Sequence, residues 1–301
     1  MELFFQQLTN GLAVGGIYAL IALGYTMVYG VLKLINFAHG DLFTIGAYLG
    51  LTLLTAMGLT DKLGLGVGIL VLAVMVMGLV AVVGVVLERV AYKPLRNADR
   101  LAAVVSALGA SIFFQNAVML IYGAKFRVYP HNILPKMAVN ILGLEIPLIR
   151  IIILAASIVL MIALYLFVQK TKTGTAIRAS AIDQGAAKLM GVNVNRVISI
   201  VFIIGPALGG VAGVMVGMYY GQINFTMGWM YGLKAFIAAI LGGIGNIPGA
   251  MIGGLLLGVI EAMGAAYISI AWKDAIAFFV LILILIVRPT GLLGERVAEK
   301  V

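Results

Sequence analysis

Cysteine is absent from the 301 residues, so the chain forms no disulfide, builds no zinc–thiolate site and offers no cysteine nucleophile; the redox compartment is left open. Charge is scarce as well. Only 10% of residues are Asp, Glu, Lys or Arg, against 63% hydrophobic, and the mean hydropathy is +1.16. That is more apolar surface than a soluble domain of this length can hide, so the chain is read as an integral membrane protein. No Gly-Lys is followed by Ser or Thr, which removes the Walker A device for cradling ATP phosphates. His39 has no second ligand nearby in sequence and no metal site is expected. Nucleophile, base and oxyanion donors do not assemble into any recognisable constellation, so no catalysed reaction is expected of this chain alone. Alternating strand patterns are missing, which argues against a β-barrel. The net charge of +9 has no basic stripe interleaved with aromatics behind it, so nucleic acid is not an expected partner. Residues 1–7 hold Glu2 and no Lys or Arg, unlike the basic leader of a secretory signal, and the first span is expected to be retained.

What is present reads as an all-α, polytopic transmembrane helix bundle of about 8–9 membrane segments, with two interrupted or short helices, in one unit over residues 1–301. With 38 glycines and abundant alanine, close helix contacts are expected. Apolar runs fall at 8–32, 42–57, 64–87, 101–123, 150–168, 198–220, 232–241, 249–263 and 275–287. The seventh and eighth are short for a bilayer core of about 30 Å and flank the Gly/Pro break at 242–249, so they are read as tilted or discontinuous. Asp61 and Lys62 mark a short exit, Pro130, Pro135 and Pro147 a longer connection, and Pro206 a kink. Residues 88–100, with Arg89, Lys93, Arg96, Arg100 and the helix-breaking Pro94, read as a loop on the same side as residues 169–196. Nine passes with those two loops inside place thirteen of the 20 basic residues there, including Lys33, Arg288, Arg296 and Lys300. The bias favours an outside N-terminus and an inside C-terminus.

Residues 169–196 form the one long polar interval between two spans. Ile182, Ala186, Leu189 and Met190 follow helical spacing, which predicts an amphipathic helix from about Ala176 to Met190 with one narrow apolar face. Arg178, Asp183, Gln184 and Lys188 lie off that face. Gly191 supplies a stop, and Asn193 or Asn195 a cap for the next span. A short helix of this kind outside the hydrocarbon suits a knob docking into a groove on another protein. The bland alternative is a basic loop with no partner.

Polar residues inside apolar runs are the candidates for a solute path. Asn36, His39 and Gly40 interrupt the run after the first span, and Asn246 sits in the 242–249 break; paired interruptions of this kind offer unwound backbone to a polar solute. The alternative for both is a tight turn, with Asn and His capping helix ends. Ser106, Ser111, Gln115 and Asn116 are expected to face the bundle or a wet cavity. Asp41 and Glu261 are read as interfacial carboxylates, and Lys234 as a snorkelling cation.

Several of these segments resemble one family. Residues 185–191, GAAKLMG, are similar to the E-A-A-x-x-x-G coupling motif of ABC importer permeases, with Gly185 where an acidic residue is usual. The departure removes a negative charge. Residues 36–40, NFAHG, resemble the signature that branched-chain amino acid permeases carry after their first span, and 88–96, ERVAYKPLR, and 288–292, RPTGL, extend the likeness over nearly the whole chain. The resemblance is to the shorter permease subunit of branched-chain amino acid ABC importers. It implies a bacterial cytoplasmic (inner) membrane location in contact with lipid, a heterodimer with a longer homologous permease, two cytoplasmic ATPase subunits and an extracytoplasmic substrate-binding protein. Arg178, Asp183, Gly185, Ala186, Ala187, Lys188 and Gly191 would then contact the ATPase, and ATP and Mg would be held by those partners, with no cofactor in this chain. A family permease for urea or short amides and an ion-coupled secondary transporter stay open as alternatives.

Overall fold

The computed structural model describes residues 2–58, 64–96, 98–130, 138–141 and 144–294. The exit at Asp61 and Lys62, together with Pro135, Lys136, Arg296 and Lys300, lies outside them. Helix α1 (Glu2–Leu32) has 31 residues, about 46 Å of helix. It is apolar all round, and such a helix must be covered on every side. Accordingly, 94% of its most hydrophobic stretch is buried inside the chain. Around it stand α2 (His39–Met57), α3 (Leu65–Leu87), α4 (Arg100–Tyr122), α5 (Leu148–Lys170), α8 (Val194–Tyr220), α9 (Met227–Gly242), α10 (Ile247–Tyr267) and α11 (Lys273–Val287). Two short helices, α6 (Lys172–Ile182) and α7 (Gln184–Leu189), link α5 to α8. Two small antiparallel ladders pair β1 (Arg127–Val128) with β4 (Gln222–Ile223), and β2 (Ala138–Ile141) with β3 (Leu144–Pro147). Among the described residues seven helices are long and apolar enough to cross a membrane, and α9 and α11 add two shorter apolar segments. The protein is a multi-pass helical membrane bundle.

Glycine sets the helix spacing. A Cβ on Gly11 or Gly15 of α1 would strike the backbone of α10 near Gly258 and Leu255, and one on Gly258 or Gly254 would strike α1. This small-residue contact lets the two antiparallel helices approach backbone to backbone, the gain coming from packing. Gly46 of α2 meets Gly210 of α8 in the same way. Pro206 lies inside an unbroken α8. It cannot donate to the Phe202 carbonyl one turn back, and Gly84 of α3 packs closely over that oxygen.

Three expectations are corrected here. The run at 249–263 is not short: α10 spans 21 residues because Asn246 caps it, Pro248 sits in its first turn and it continues to Tyr267. Residues 88–100 are only partly a loop, since α3 runs on through a π turn (Glu88–Tyr92) and a 3₁₀ turn (Lys93–Leu95) that accommodates Pro94 near its start. The Arg96 guanidinium closes this extension by pairing with buried Glu88 and with Asn195. Lastly, α9 starts at Met227, five residues before the apolar run at 232.

Two helices begin inside the bundle. Gly24 of α1 is packed against the His39 ring at the start of α2, yet Gly24 lies eight residues, about 12 Å, before α1 ends. The connection at 33–38, entered through Lys33 at φ +55°, therefore doubles back before α2 starts. On the other side the chain leaves α8 at Tyr220 and returns through β4 to begin α9 against Gly40. Gly40 contacts Gly228 and Gly232, while Thr44 contacts Gly228, so α2 and α9 start at one depth and run in opposite directions.

Candidate coupling surface and solute path

The linking segment holds its shape through local caps. Thr171 opens α6, its hydroxyl oxygen accepting from the Gly174 amide at 3.0 Å. Asp183 then ends α6 and begins α7, and its carboxylate accepts from the amides of Gly185 (2.7 Å) and Ala186 (3.0 Å). The single helix expected over 176–190 is thus broken at Asp183, because its carboxylate satisfies first-turn amides that an unbroken helix would bond to carbonyls. The break redirects the apolar face. Ala187, not Ala186, is the buried residue of α7, while Ile182, Leu189 and Met190 stand 88%, 90% and 84% exposed. Gly185, Ala186, Lys188 and Gly191 are exposed beside them, and Arg178 donates to Gln169 and Thr175 at the base. Gly191 ends α7 at φ +83°, its amide reaching the Lys188 carbonyl and the Val192 amide reaching the Ala187 carbonyl, each at 3.0 Å. That is a glycine C-cap, as the sequence predicts, and Asn193 caps α8 by accepting from the Arg196 amide. Gln184 Nε2 donates 2.6 Å to the Val31 carbonyl, tying this knob to the end of α1.

Of the residues expected to line a solute path, the structure brings together Asn36, His39 and Gly40. Asn36 is buried, and its side-chain oxygen accepts from Tyr92 Oη (2.8 Å) and the Ala38 amide (3.1 Å). His39 is fully buried with its ring edge-on to Tyr25 at 4.8 Å. Asn246 is not with them: it caps α10 and donates 2.8 Å to the Leu293 carbonyl at the far end of α9. The break that faces residues 36–41 is the return at 221–227, and the glycine pair Gly228 and Gly232 was the sequence signal for it. Asp41 is buried rather than interfacial, and takes a 2.5 Å bond from Ser111 of α4. Gln115 is half-buried, whereas Asn116 is exposed on the outer face of α4 and satisfies itself on the Ile112 carbonyl at 2.7 Å, so the expectation that it faces inward fails. An apolar cleft of about 40 Å³ opens where the connection at 33–38 meets α9.

A buried charge cluster replaces the expected interfacial positions of Lys234 and Glu261. Lys234 Nζ lies 2.8 Å from Glu261 Oε1 and 2.7 Å from Asp274 Oδ1, and Lys273 Nζ lies 3.4 Å from Glu261. Tyr18 Oη donates 2.7 Å to the other Glu261 oxygen. Two acids and two bases from α9, α10 and α11, joined to α1, neutralise one another, which is what ionisable groups at membrane depth require. Helical spacing within one span cannot reveal a partner 27 residues away.

A multi-helix membrane bundle with two helices that begin inside it and an exposed knob at one face is the build expected of a membrane transport permease. The family described as branched-chain amino acid transport system, permease component, matches residues 7–285, and the chain belongs to it. It is 47% identical to the high-affinity branched-chain amino acid transport system permease protein BraD of Pseudomonas aeruginosa, over 99% of this chain and 98% of that one. The permease LivH of Escherichia coli K12, of the same description, is 44% identical over the same shares. A probable LivH of Methanocaldococcus jannaschii is 29% identical over 95% of this chain and 91% of its own length. The protein is a transport subunit and not an enzyme.

Proposed function

We propose that this chain is the permease subunit of an ATP-driven importer that carries branched-chain amino acids across the cytoplasmic membrane. Near-full-length likeness to BraD and LivH carries the reading, since their names state that cargo. Its companions are a longer homologous permease, two ATPase subunits docking at α7 and holding the ATP and Mg, and an external substrate-binding protein. Three large apolar side chains left bare on α6, α7 and the turn after it, outside the spans, give the ATPase something to grip. ATP-driven closure of the ATPases would pull on α7, and through Gln184 and Val31 on α1, the central helix of the bundle.

The rival reading as an ion-coupled transporter needs a membrane carboxylate free to change charge. Glu261 and Asp274, which pair with Lys234 and Lys273, do not favour it, and buried Asp41, bonded to Ser111, is the carboxylate that reading would have to use. Uptake of labelled leucine into proteoliposomes separates the readings: the complete set of subunits with ATP should concentrate leucine, and this chain alone should not. Uphill uptake by the single polypeptide, or uptake that survives without ATP on a proton gradient, overturns the proposal. Competition of leucine and urea for the external receptor decides between amino acid and amide cargo.

A further inference from the structure

The cleft between the connection at 33–38 and α9 is lined by Tyr25, Ile35, Phe37, Trp229, Leu233 and Phe236. The three α9 residues recur at i, i+4 and i+7 and so present one helix face. Two glycines complete the lining, Gly228 and Gly232, and because both lie against Gly40 no side chain grows in from that side. A water needs about 10–15 Å³ measured this way. At about 40 Å³ the cleft has room for a group of three or four heavy atoms, and its lining is almost wholly carbon. It opens away from the chain, for Trp229 and Leu233 are 53% and 38% exposed. Its position matters more than its size. It lies at the depth where α2 and α9 both begin, on the seam of the two re-entrant segments, where unwound backbone is available to a polar solute.

A second observation concerns polar groups. Asn36, between the lining residues Ile35 and Phe37, is 1% exposed and its Nδ2 has no hydrogen-bond partner. Behind Tyr25, the His39 ring is fully buried. Buried donors without partners are rare in folded chains and ask for an explanation. Neither side chain lines the cleft, since Asn36 is turned to Tyr92 and His39 lies behind Tyr25, so the cleft itself offers a solute carbon alone.

Resting on the reading of the chain as a branched-chain amino acid permease, we infer that this cleft is the subsite for the aliphatic side chain of the solute in transit. Tyr25, Trp229, Leu233 and Phe236 then grade side chains by length. An apolar pocket discriminates one methylene by about 10- to 200-fold at most, so the subsite refines a choice already made by the external receptor.

The test uses the complete importer in proteoliposomes with its receptor, and reads the ratio of leucine to valine uptake. Leu233→Trp narrows the cleft from its open side and should lower leucine uptake more than valine uptake, shifting the ratio about fivefold or more. Phe236→Ala widens it and should move the ratio the opposite way. Subunit co-purification should stay near the parent level in both. Proportional loss of both substrates, or an unchanged ratio, overturns the subsite. Loss of co-purification with the longer permease also overturns it, by showing that a partner chain fills the cleft. A parent importer that carries no branched-chain amino acid instead sinks the functional reading on which the subsite depends.

Discussion

Gly40 of α2 and Gly228 of α9 lie backbone against backbone, each placed so that a Cβ on one would overlap the carbonyl of the other. The contact joins the two helices that begin inside the bundle, and neither position has space for a methyl group. Gly40→Ala should therefore destabilise the protein by about 1–3 kcal/mol or more through overpacking. Gly78→Ala in α3, where nothing lies within 4 Å of an added Cβ, should stabilise it by about 0.5–1 kcal/mol through helix propensity. Thermal unfolding in detergent should move the two midpoints in opposite directions.

Lys234 is the shared partner of Glu261 and Asp274. Lys234→Met removes both short ion pairs at once, leaving Glu261 only Tyr18 and the more distant Lys273. A cost of about 3–5 kcal/mol is expected for breaking a buried pair. Glu261→Gln should cost less, because Lys234 keeps Asp274. Equal losses of thermal stability in the two variants would show that Lys234 is not the hub.

Asp183 separates α6 from α7 by capping two amides. Asp183→Ala should cost about 1 kcal/mol locally and speed hydrogen exchange at the amides of Gly185 and Ala186, while Asp183→Asn, which can still accept, should largely preserve protection. Exchange rates unchanged in the alanine variant would mean that the break is set by something other than the cap.

Gly191 separates backbone strain from steric blocking. Its φ of +83° penalises any L-residue by roughly 1–2 kcal/mol, but nothing lies within 4 Å of an added Cβ. Gly191→Ala should keep most ATPase association, and Gly191→Trp should abolish it without unfolding the bundle. Co-purification of the tryptophan variant at normal yield would refute docking at this surface.

Membrane class, span order and the glycine stop at 191 were legible because they rest on composition and on residues whose backbone chemistry is local. The break at Asp183 was harder to see: Ile182, Ala186, Leu189 and Met190 keep helical period straight across it, and a caps-or-continues choice at one Asp is invisible to periodicity. Asn246 pairs with Asn36 in the sequence because each interrupts an apolar run, yet the chain folds Gly228 and Gly232 against Gly40 instead. Lys234 and Glu261 each look interfacial in isolation. Only packing of α9, α10 and α11 makes them a buried cluster, and contacts of that range leave no trace in a single span.

The absence of cysteine gives a clean background for the decisive measurement. Leu189→Cys, at a position 90% exposed on α7, can be probed with a membrane-impermeant thiol reagent from either side of an oriented vesicle. Labelling only from the cytoplasmic side, blocked when the ATPase subunits are bound, is the predicted result. Labelling from the outer side, or equal labelling with and without the ATPases, would contradict the assignment of this exposed knob as the point where the transport motor grips the permease.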